Sequence, residues 1–160
     1  MNQTDKKKST GIERFLLLVS TVFFWSSLYI FVPILSPHAK NLGGSMTVIG
    51  LVVASYGFTQ FLFRFPIGIW SDRIGIRKPF ALSGFVFTMV SCAGMALAPT
   101  PLILLIFRGL SGISASMWVA FTVMYSGYFD DSQSTRAMSH INFCTGFAQM
   151  LSTYAGANIA

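Results

Sequence analysis

The feature that most constrains this chain is a series of long apolar runs separated by short polar segments. A helix needs about 20 consecutive apolar residues to cross the hydrocarbon core of a bilayer. The runs predict membrane spans at residues 15–35, 48–70, 80–98 and 102–125, and a fifth span that covers 141–160 and is cut short there. Only 10% of the residues are charged, whereas a soluble domain carries about 25%. The predicted fold is therefore an all-α membrane protein, a bundle with about five spans.

Basic residues are distributed unevenly between the two sides of the predicted bundle. One side, formed by residues 1–14 and the loops after the second and fourth spans, holds Lys6, Lys7, Lys8, Arg14, Arg73, Arg77, Lys78 and Arg136. The opposite loops hold Lys40 alone. Because Lys and Arg concentrate in cytoplasmic loops, we expect residues 1–14 to be a cytoplasmic tail and residues 15–160 to be a transmembrane region in the cell membrane. The expected partner of these charges is the lipid bilayer rather than a nucleic acid, because they form no continuous stripe.

The sequence lacks the arrangements that are typical of enzymes and metal sites. It shows no nucleophile beside a base and no paired carboxylates, so no catalytic residue is predicted. His38 and His140 stand far apart without acidic or thiol companions, so neither a metal nor another cofactor is predicted. Cys92 and Cys144 fall in or beside predicted spans and are interpreted as small packing residues.

The segment from Gly68 to Lys78 carries the most specific pattern, which reads GIWSDRIGIRK. It resembles the signature loop of major facilitator superfamily transporters: Gly, any residue, Leu, Ala or Ser, Asp, Arg or Lys, any residue, Gly, and two cations. The family places this loop on the cytoplasmic side between the second and third spans, where the charge distribution also places it. Trp70 replaces the usual Leu, and Ile76 stands where the family usually has a cation that joins a charge relay.

Asp72 is the central residue of this loop. It follows a helix C-terminus, where the macrodipole disfavours a negative charge by about 0.3–1 kcal/mol. We therefore expect Asp72 to have a partner: Arg73, Arg77 or the N-terminus of another helix. The resemblance implies that Asp72 meets a helix of the carboxy-terminal half and helps to hold the outward-facing state, with Gly68 allowing close packing beneath it.

The other loop residues have more than one interpretation. Gly75 permits the tight reversal that a short loop needs. Arg77 and Lys78 either take part in the charge relay or simply anchor the loop on the cytoplasmic side.

Two cations lie inside the predicted spans. Arg108 is followed four residues later by Gly112, which resembles the fourth-span motif of the family, although Ser111 replaces the commoner Gln. An intramembrane Arg costs about 2.5–3.5 kcal/mol on insertion scales, so Arg108 should face the bundle interior or water. The resemblance implies a place in the central cavity and a part in proton movement, and snorkelling to the surface is the alternative. Gly112 and Ser116 form a small-residue face for close helix contact, while Arg64 is either an anchor or a functional residue.

The sequence is thus interpreted as the amino-terminal portion of a secondary transporter that moves a small molecule by alternating access, either with or without coupling to an ion gradient. The carboxy-terminal half of the same transporter is the expected partner, and this portion is not expected to transport alone. The apolar runs contain no Asp or Glu, so a coupling acid is not found here. Polar residues inside the spans either line a substrate path or form interhelical hydrogen bonds: Ser26, Ser27, Tyr29, Tyr56, Gln60, Asn142 and Gln149. The alternative function is a non-transporting five-span scaffold or a small subunit of a larger membrane complex.

Overall fold

The computed structural model describes residues 11–159, and all the regular structure in that range is helical. Most of the predicted tail, residues 1–10, lies outside the described residues, as do Ala160 and the side chain of Asp131. The helices in chain order are α1 (Gly11–Tyr29), α2 (Val32–Asn41), α3 (Met46–Ile74), α4 (Lys78–Ala96), α5 (Pro101–Ser116), α6 (Trp118–Ser126) and α7 (Ser134–Ile159). A 3-10 turn, Asp131–Gln133, precedes α7.

Four helical segments of the described chain are long and apolar enough to cross a membrane. They are Gly11–Asn41, Met46–Ile74, Lys78–Ala96 and Pro101–Ser126. The helix α7 has 26 residues, which is long enough to cross. It is not among the four, because Ser, Thr, Asn and Gln side chains dilute its apolar character. That α7 forms a fifth span therefore stays a prediction.

The first predicted span, 15–35, is divided between two helices. The break falls between Tyr29 and Val32, because Pro33 has no N–H to donate to the carbonyl one turn earlier. The helix α2 then continues to Asn41 with Pro37 in its interior, through part of the segment that the sequence predicted as a loop. The remaining connection is a tight turn in which Gly43 has φ +83°.

The connection between α3 and α4 is shorter than predicted. Residues 71–74, which include Asp72 and Arg73, stay helical, and only the three residues 75–77 separate Ile74 from Lys78. Lys78 is thus the first residue of α4 rather than a loop residue. The reason is that no Gly or Pro lies between Gly68 and Gly75 to end the helix earlier.

The fourth predicted span, 102–125, also consists of two helices. The break is at Met117, whose N–H donates to the carbonyl of Ser114 at 3.0 Å, three residues back instead of four. At its start, the Thr100 hydroxyl accepts the N–H of Ile103 at 3.4 Å and Pro101 occupies the first turn, which is a favourable helix start.

The helix α5 lies at the centre of the packing, between α3 and α4. Half of the residues in the most apolar part of α5 and α6 are buried inside the protein. In the most apolar part of α3, only 6% of the residues are buried. An aromatic cluster joins α6 to α1: the rings of Trp118 and Trp25 are 5.3 Å apart, and Phe24 stacks on Trp118 at 6.1 Å. These contacts fix α1 and α6 against each other, while α7 packs along α1.

Candidate functional site

The first candidate site is the loop that ends α3. Gly75 has φ +70°, a left-handed conformation that L side chains rarely adopt, and its N–H donates to the carbonyl of Ser71 at 3.1 Å. This closes the helix and reverses the chain within three residues. A side chain at this position would strain the reversal.

Asp72 lies in the last turn of α3 and is mostly exposed. One carboxylate oxygen is 3.4 Å from Nη2 of Arg77, and the two side chains are 69% and 35% exposed. An exposed pair of this kind contributes about 0–1 kcal/mol. Arg73, Ile76 and Lys78 are exposed as well. Asp72 is therefore held only weakly and stays accessible to another partner.

Gly68 and Arg64 lie one turn apart on the same face of α3. Together with Phe65, Ile69 and Val119 they line an open groove of about 330 Å³. A Cβ added at Gly68 would be 3.8 Å from Cγ1 of Val119, which is an ordinary contact. Within residues 11–159, nothing packs so closely that a glycine is required at position 68. Arg64 is exposed.

The second candidate site is Arg108, which is buried in the middle of the bundle. It is 5% exposed and lies seven residues into α5, about 10 Å from its start. The guanidinium carbon is 4.5 Å from the centre of the Tyr56 ring. A cation over an aromatic face gains about 0.5–2 kcal/mol, which offsets only part of the cost of burying the charge. Snorkelling is therefore not the arrangement that the structure shows.

Three helices surround Arg108 with polar groups. Tyr56 of α3 lies over the guanidinium, and Tyr29 of α1 and Cys92 of α4 are nearby. Tyr29 and Tyr56 belong to the polar residues noted in the sequence, and they are the members of that set that the fold brings to Arg108. Cys92, interpreted from sequence as a packing residue, also donates its S–H to the carbonyl of Ser27 at 3.5 Å.

Gly112 holds α5 against α3 and so fixes the position of Arg108. A Cβ at Gly112 would collide with Oγ1 of Thr59 and the carbonyl of Tyr56. The Thr59 hydroxyl donates to the carbonyl of Gly109 at 2.7 Å, and the Ser116 hydroxyl donates to that of Gln60 at 3.0 Å. The small-residue face of α5 thus lies directly on α3.

Sequence reasoning missed the residues that fix α5 on its other side. Ser91 donates to the carbonyl of Phe107 at 2.7 Å, and Ser114 donates to that of Gly84 at 2.7 Å. The hydroxyls of Ser114 and Thr88 are 2.6 Å apart. A signal existed: small polar residues recur three or four positions apart on α3 (Ser55, Thr59) and α4 (Thr88, Ser91), which is typical of helix interfaces in membranes.

The two candidate sites are linked by α3 but do not touch. Sixteen residues separate Tyr56, beside Arg108, from Asp72, which corresponds to about 24 Å along a helix. Within the described residues, no group of three His, Cys, Asp or Glu side chains is placed to hold a metal ion. The arrangement is a buried cation on α5, which contacts Tyr56 of α3, and an exposed charged loop at the end of α3.

Residues 17–160 match the sequence profile of the Major Facilitator Superfamily. The chain belongs to the major facilitator superfamily. Members of this family are transporters, and this major facilitator protein is a multi-pass membrane protein. The resemblance found in the loop and in the fourth span is confirmed by a match that covers most of the chain.

Curated relatives of this major facilitator protein carry transporter names. It is 30% identical over 155 residues to the inner membrane transport protein YajR of Escherichia coli, which covers 95% of this chain and 34% of YajR. It is 44% identical over 69 residues to an uncharacterized transporter of Buchnera aphidicola from Schizaphis graminum, covering 41% of this chain and 18% of that protein. The chain thus spans about a third or less of the length of these relatives.

Proposed function

We propose that this protein is the amino-terminal portion of a secondary transporter that moves a small solute across the cell membrane by alternating access. In such folds the solute binds near the bilayer midplane, between two halves that rock against each other. Arg108 with Tyr29 and Tyr56 forms the midplane part of the site, and the Asp72 loop forms the cytoplasmic gate. The second half of the transporter supplies the opposite wall of the site.

The observation that supports this proposal most directly is the close packing of α5 on α3, the helix that ends in the Asp72 loop. Gly112 leaves no room between α5 and α3, and Thr59 and Ser116 bond the two helices together. A movement of α3 as a whole would therefore carry both the Asp72 loop and Arg108. A rocking half needs this property, because the gate and the solute site must move as one body.

The exposure of Asp72 supports a gating role. Its pair with Arg77 is weak, so the carboxylate can leave it for the N-terminus of a helix in the second half. Gly68 and Arg64 line the groove beside it and offer that helix a surface. Arg73, Arg77 and Lys78 keep the gate on the cytoplasmic side.

The native thiol of Cys92 provides the test, because it is half-buried inside the bundle, where its S–H donates to the carbonyl of Ser27. The full-length protein with Cys144→Ser is reconstituted in oriented vesicles and labelled with a membrane-impermeant maleimide from either side. We expect labelling from both sides, as the site opens alternately. Asp72→Asn should raise the rate from the cytoplasmic side and lower the external rate, by up to about fivefold for 1 kcal/mol.

Asp130→Asn is the matched control. Asp130 is also an exposed carboxylate, but it lies in the connection between α6 and α7. It should leave both labelling rates within about twofold of the parent. Labelling of Cys92 from one side only, in every variant, would instead support the non-transporting scaffold or subunit. Unchanged rates in Asp72→Asn would remove Asp72 from the gate.

A further inference from the structure

Arg64 is a charged residue in the membrane-spanning part of α3, whose other charged residues, Asp72 and Arg73, lie in its last turn. It is exposed, and it lies eight residues before Asp72, which corresponds to about 12 Å along the helix. The carboxylate of Asp72 contacts Arg77 rather than Arg64. Arg64 is therefore a cation at membrane depth whose charge is not neutralised by an acid of its own helix.

The direction of the Arg64 side chain argues against a simple surface anchor. Helical side chains lean towards the N-terminus of their helix, and Arg64 lies near the hydroxyl of Tyr56, about two turns earlier in α3. In the proposed orientation the N-terminal end of α3 is external, so Arg64 leans away from the cytoplasmic surface. Snorkelling to that surface would require the opposite direction. Because a charge that faces lipid is costly, this face of α3 should open to water during the transport cycle.

A line of polar side chains connects Arg64 to the buried Arg108. Tyr56, Gln60 and Arg64 are spaced four residues apart, so they follow one another along a face of α3. At one end of this line, the Tyr56 ring packs against the guanidinium of Arg108. Arg64 thus lies between the proposed mid-membrane site and the cytoplasmic end of α3.

The groove beside Arg64 combines a positive charge with apolar walls. Its volume is about 330 Å³, and it is lined by Arg64, Phe65, Gly68, Ile69 and Val119. Small-molecule sites have volumes of about 300–1,000 Å³ and are mostly apolar with a few polar groups. A guanidinium binds an oxyanion through paired N–H donors, while the walls suit an apolar body. The ligand that matches both features is an organic anion, with its charged group on Arg64 and its apolar part against the walls.

We propose that Arg64 is a specificity-determining residue that binds organic anions on the cytoplasmic side of the transport path. The inference rests on the proposed function, because a helix of the second half covers the groove when the Asp72 gate is closed. When the gate opens, the groove faces the cytoplasm, and Arg64 holds the anionic group of the solute as it enters or leaves. A phospholipid headgroup fits less well, because it stays at the membrane surface while Arg64 lies about 12 Å deeper than Asp72.

The first experiment asks whether the charge of Arg64 is open to the cytoplasm. Val119→Cys places a reporter thiol in the groove with little change in volume, in full-length protein that also carries Cys92→Ser and Cys144→Ser. In oriented vesicles at low salt, the reporter reacts from the cytoplasmic side with anionic methanethiosulfonate ethylsulfonate or with its cationic ethyltrimethylammonium analogue. We expect Arg64→Gln to lower the ratio of the anionic to the cationic rate by about threefold or more, and Arg64→Lys to preserve it within about twofold.

Arg136→Gln is the matched control, because Arg136 is an exposed cation at the start of α7 and is not among the residues that line this groove. It should leave the rate ratio within about twofold of the parent, because water and salt screen a distant charge. A ratio that Arg64→Gln leaves unchanged would show that an acid elsewhere in the protein neutralises Arg64, and it would overturn the proposal.

The second experiment asks whether the groove binds an organic anion. The same reporter is labelled from the cytoplasmic side with an impermeant maleimide in the presence of benzoate or benzenesulfonate, or of the neutral benzamide or benzenesulfonamide. We expect at least one anion to slow labelling by about threefold or more, while its neutral counterpart does not. Arg64→Lys should raise the anion concentration for half protection about tenfold, and Arg64→Gln should abolish protection, because Lys keeps the charge but not the planar donors. Equal labelling rates with the anions and their neutral counterparts would refute the anion site.

Failure of this inference is distinguishable from failure of the proposed function. If Cys92 is labelled alternately from both sides but Arg64→Gln changes neither the rate ratio nor the protection, the transport proposal stands and the anion site does not. If Cys92 is labelled from one side only while anions still protect Val119→Cys, the transport proposal falls and the anion site stands without it.

Discussion

At the scale of single residues, Gly112 decides how near Arg108 comes to Tyr56. Its missing side chain lets the backbone of α5 touch the carbonyl of Tyr56 and the hydroxyl of Thr59. In a membrane, close approach of this kind replaces the hydrophobic effect as the force between helices, because lipid tails are as apolar as the side chains. One methyl group at this point would separate the cation from its ring.

We therefore expect Gly112→Ala to destabilise the protein by about 1–3 kcal/mol, the usual cost of overpacking a core. Gly57→Ala on α3 is the matched control, because a Cβ at Gly57 meets nothing within 4 Å. In a helix, that control should be neutral or stabilising by up to about 1 kcal/mol. Unfolding of the full-length protein by SDS in mixed micelles measures both, and equal stabilities would show that the contact is not tight.

At the scale of helices, α5 is held by hydroxyl groups that bond to backbone carbonyls on both sides. Thr59 and Ser116 connect it to α3, and Ser91 and Ser114 connect it to α4. Such bonds are individually modest, about 0.6 kcal/mol on average and up to about 1.7 in one membrane protein. Several of them acting in parallel nevertheless fix the rotation of α5 about its axis.

Thr59→Val removes one of these bonds while keeping the shape of the side chain. The free energy of unfolding should fall by about 0.6–1.7 kcal/mol, and Cys92 should become more reactive towards maleimide as α5 loosens. Thr122→Val is the control, because Thr122 donates to the carbonyl of Val119 in its own helix at 2.9 Å. If the two variants lose the same stability, the interhelical bond contributes nothing of its own.

At the scale of the whole molecule, the proposed orientation places the start of α3 outside the cell and the α3–α4 loop inside. Met46 and Ile76 are 81% and 57% exposed, so each is suited to a reporter cysteine. In a Cys92→Ser, Cys144→Ser background, Met46→Cys should react with an impermeant maleimide in intact cells. Ile76→Cys should react only after the membrane is permeabilised. The opposite pattern would invert the topology and remove the cytoplasmic gate.

The sequence predicted the helical fold and its family because those depend on local patterns. Length and apolar content determine a spanning helix, and Gly75 marks the reversal because few other residues tolerate its φ of +70°. The break after Tyr29 was missed, although Pro33 indicates one, since an apolar run alone gives no sign of a discontinuity inside a span.

The neighbours of Arg108 could not be predicted for a different reason. Tyr29, Tyr56 and Cys92 lie on three helices, and their convergence depends on how each helix is rotated. A helix that is apolar on all sides has no stripe to reveal that rotation. On α3, Phe58, Phe61 and Phe65 are all exposed in this part of the chain, so hydrophobicity does not distinguish the buried side.

Under the proposed gating role, the weak pair between Asp72 and Arg77 bears on the speed of transport. Asp72 would have to leave Arg77 each time the gate closes, and an exposed pair of about 1 kcal/mol slows that step by only about fivefold. A buried pair worth several kcal/mol would slow turnover a thousandfold or so. Asp72 is mostly in water and lies 3.4 Å from a partner that is itself partly hydrated, so in the proposed cycle this contact would not limit the rate.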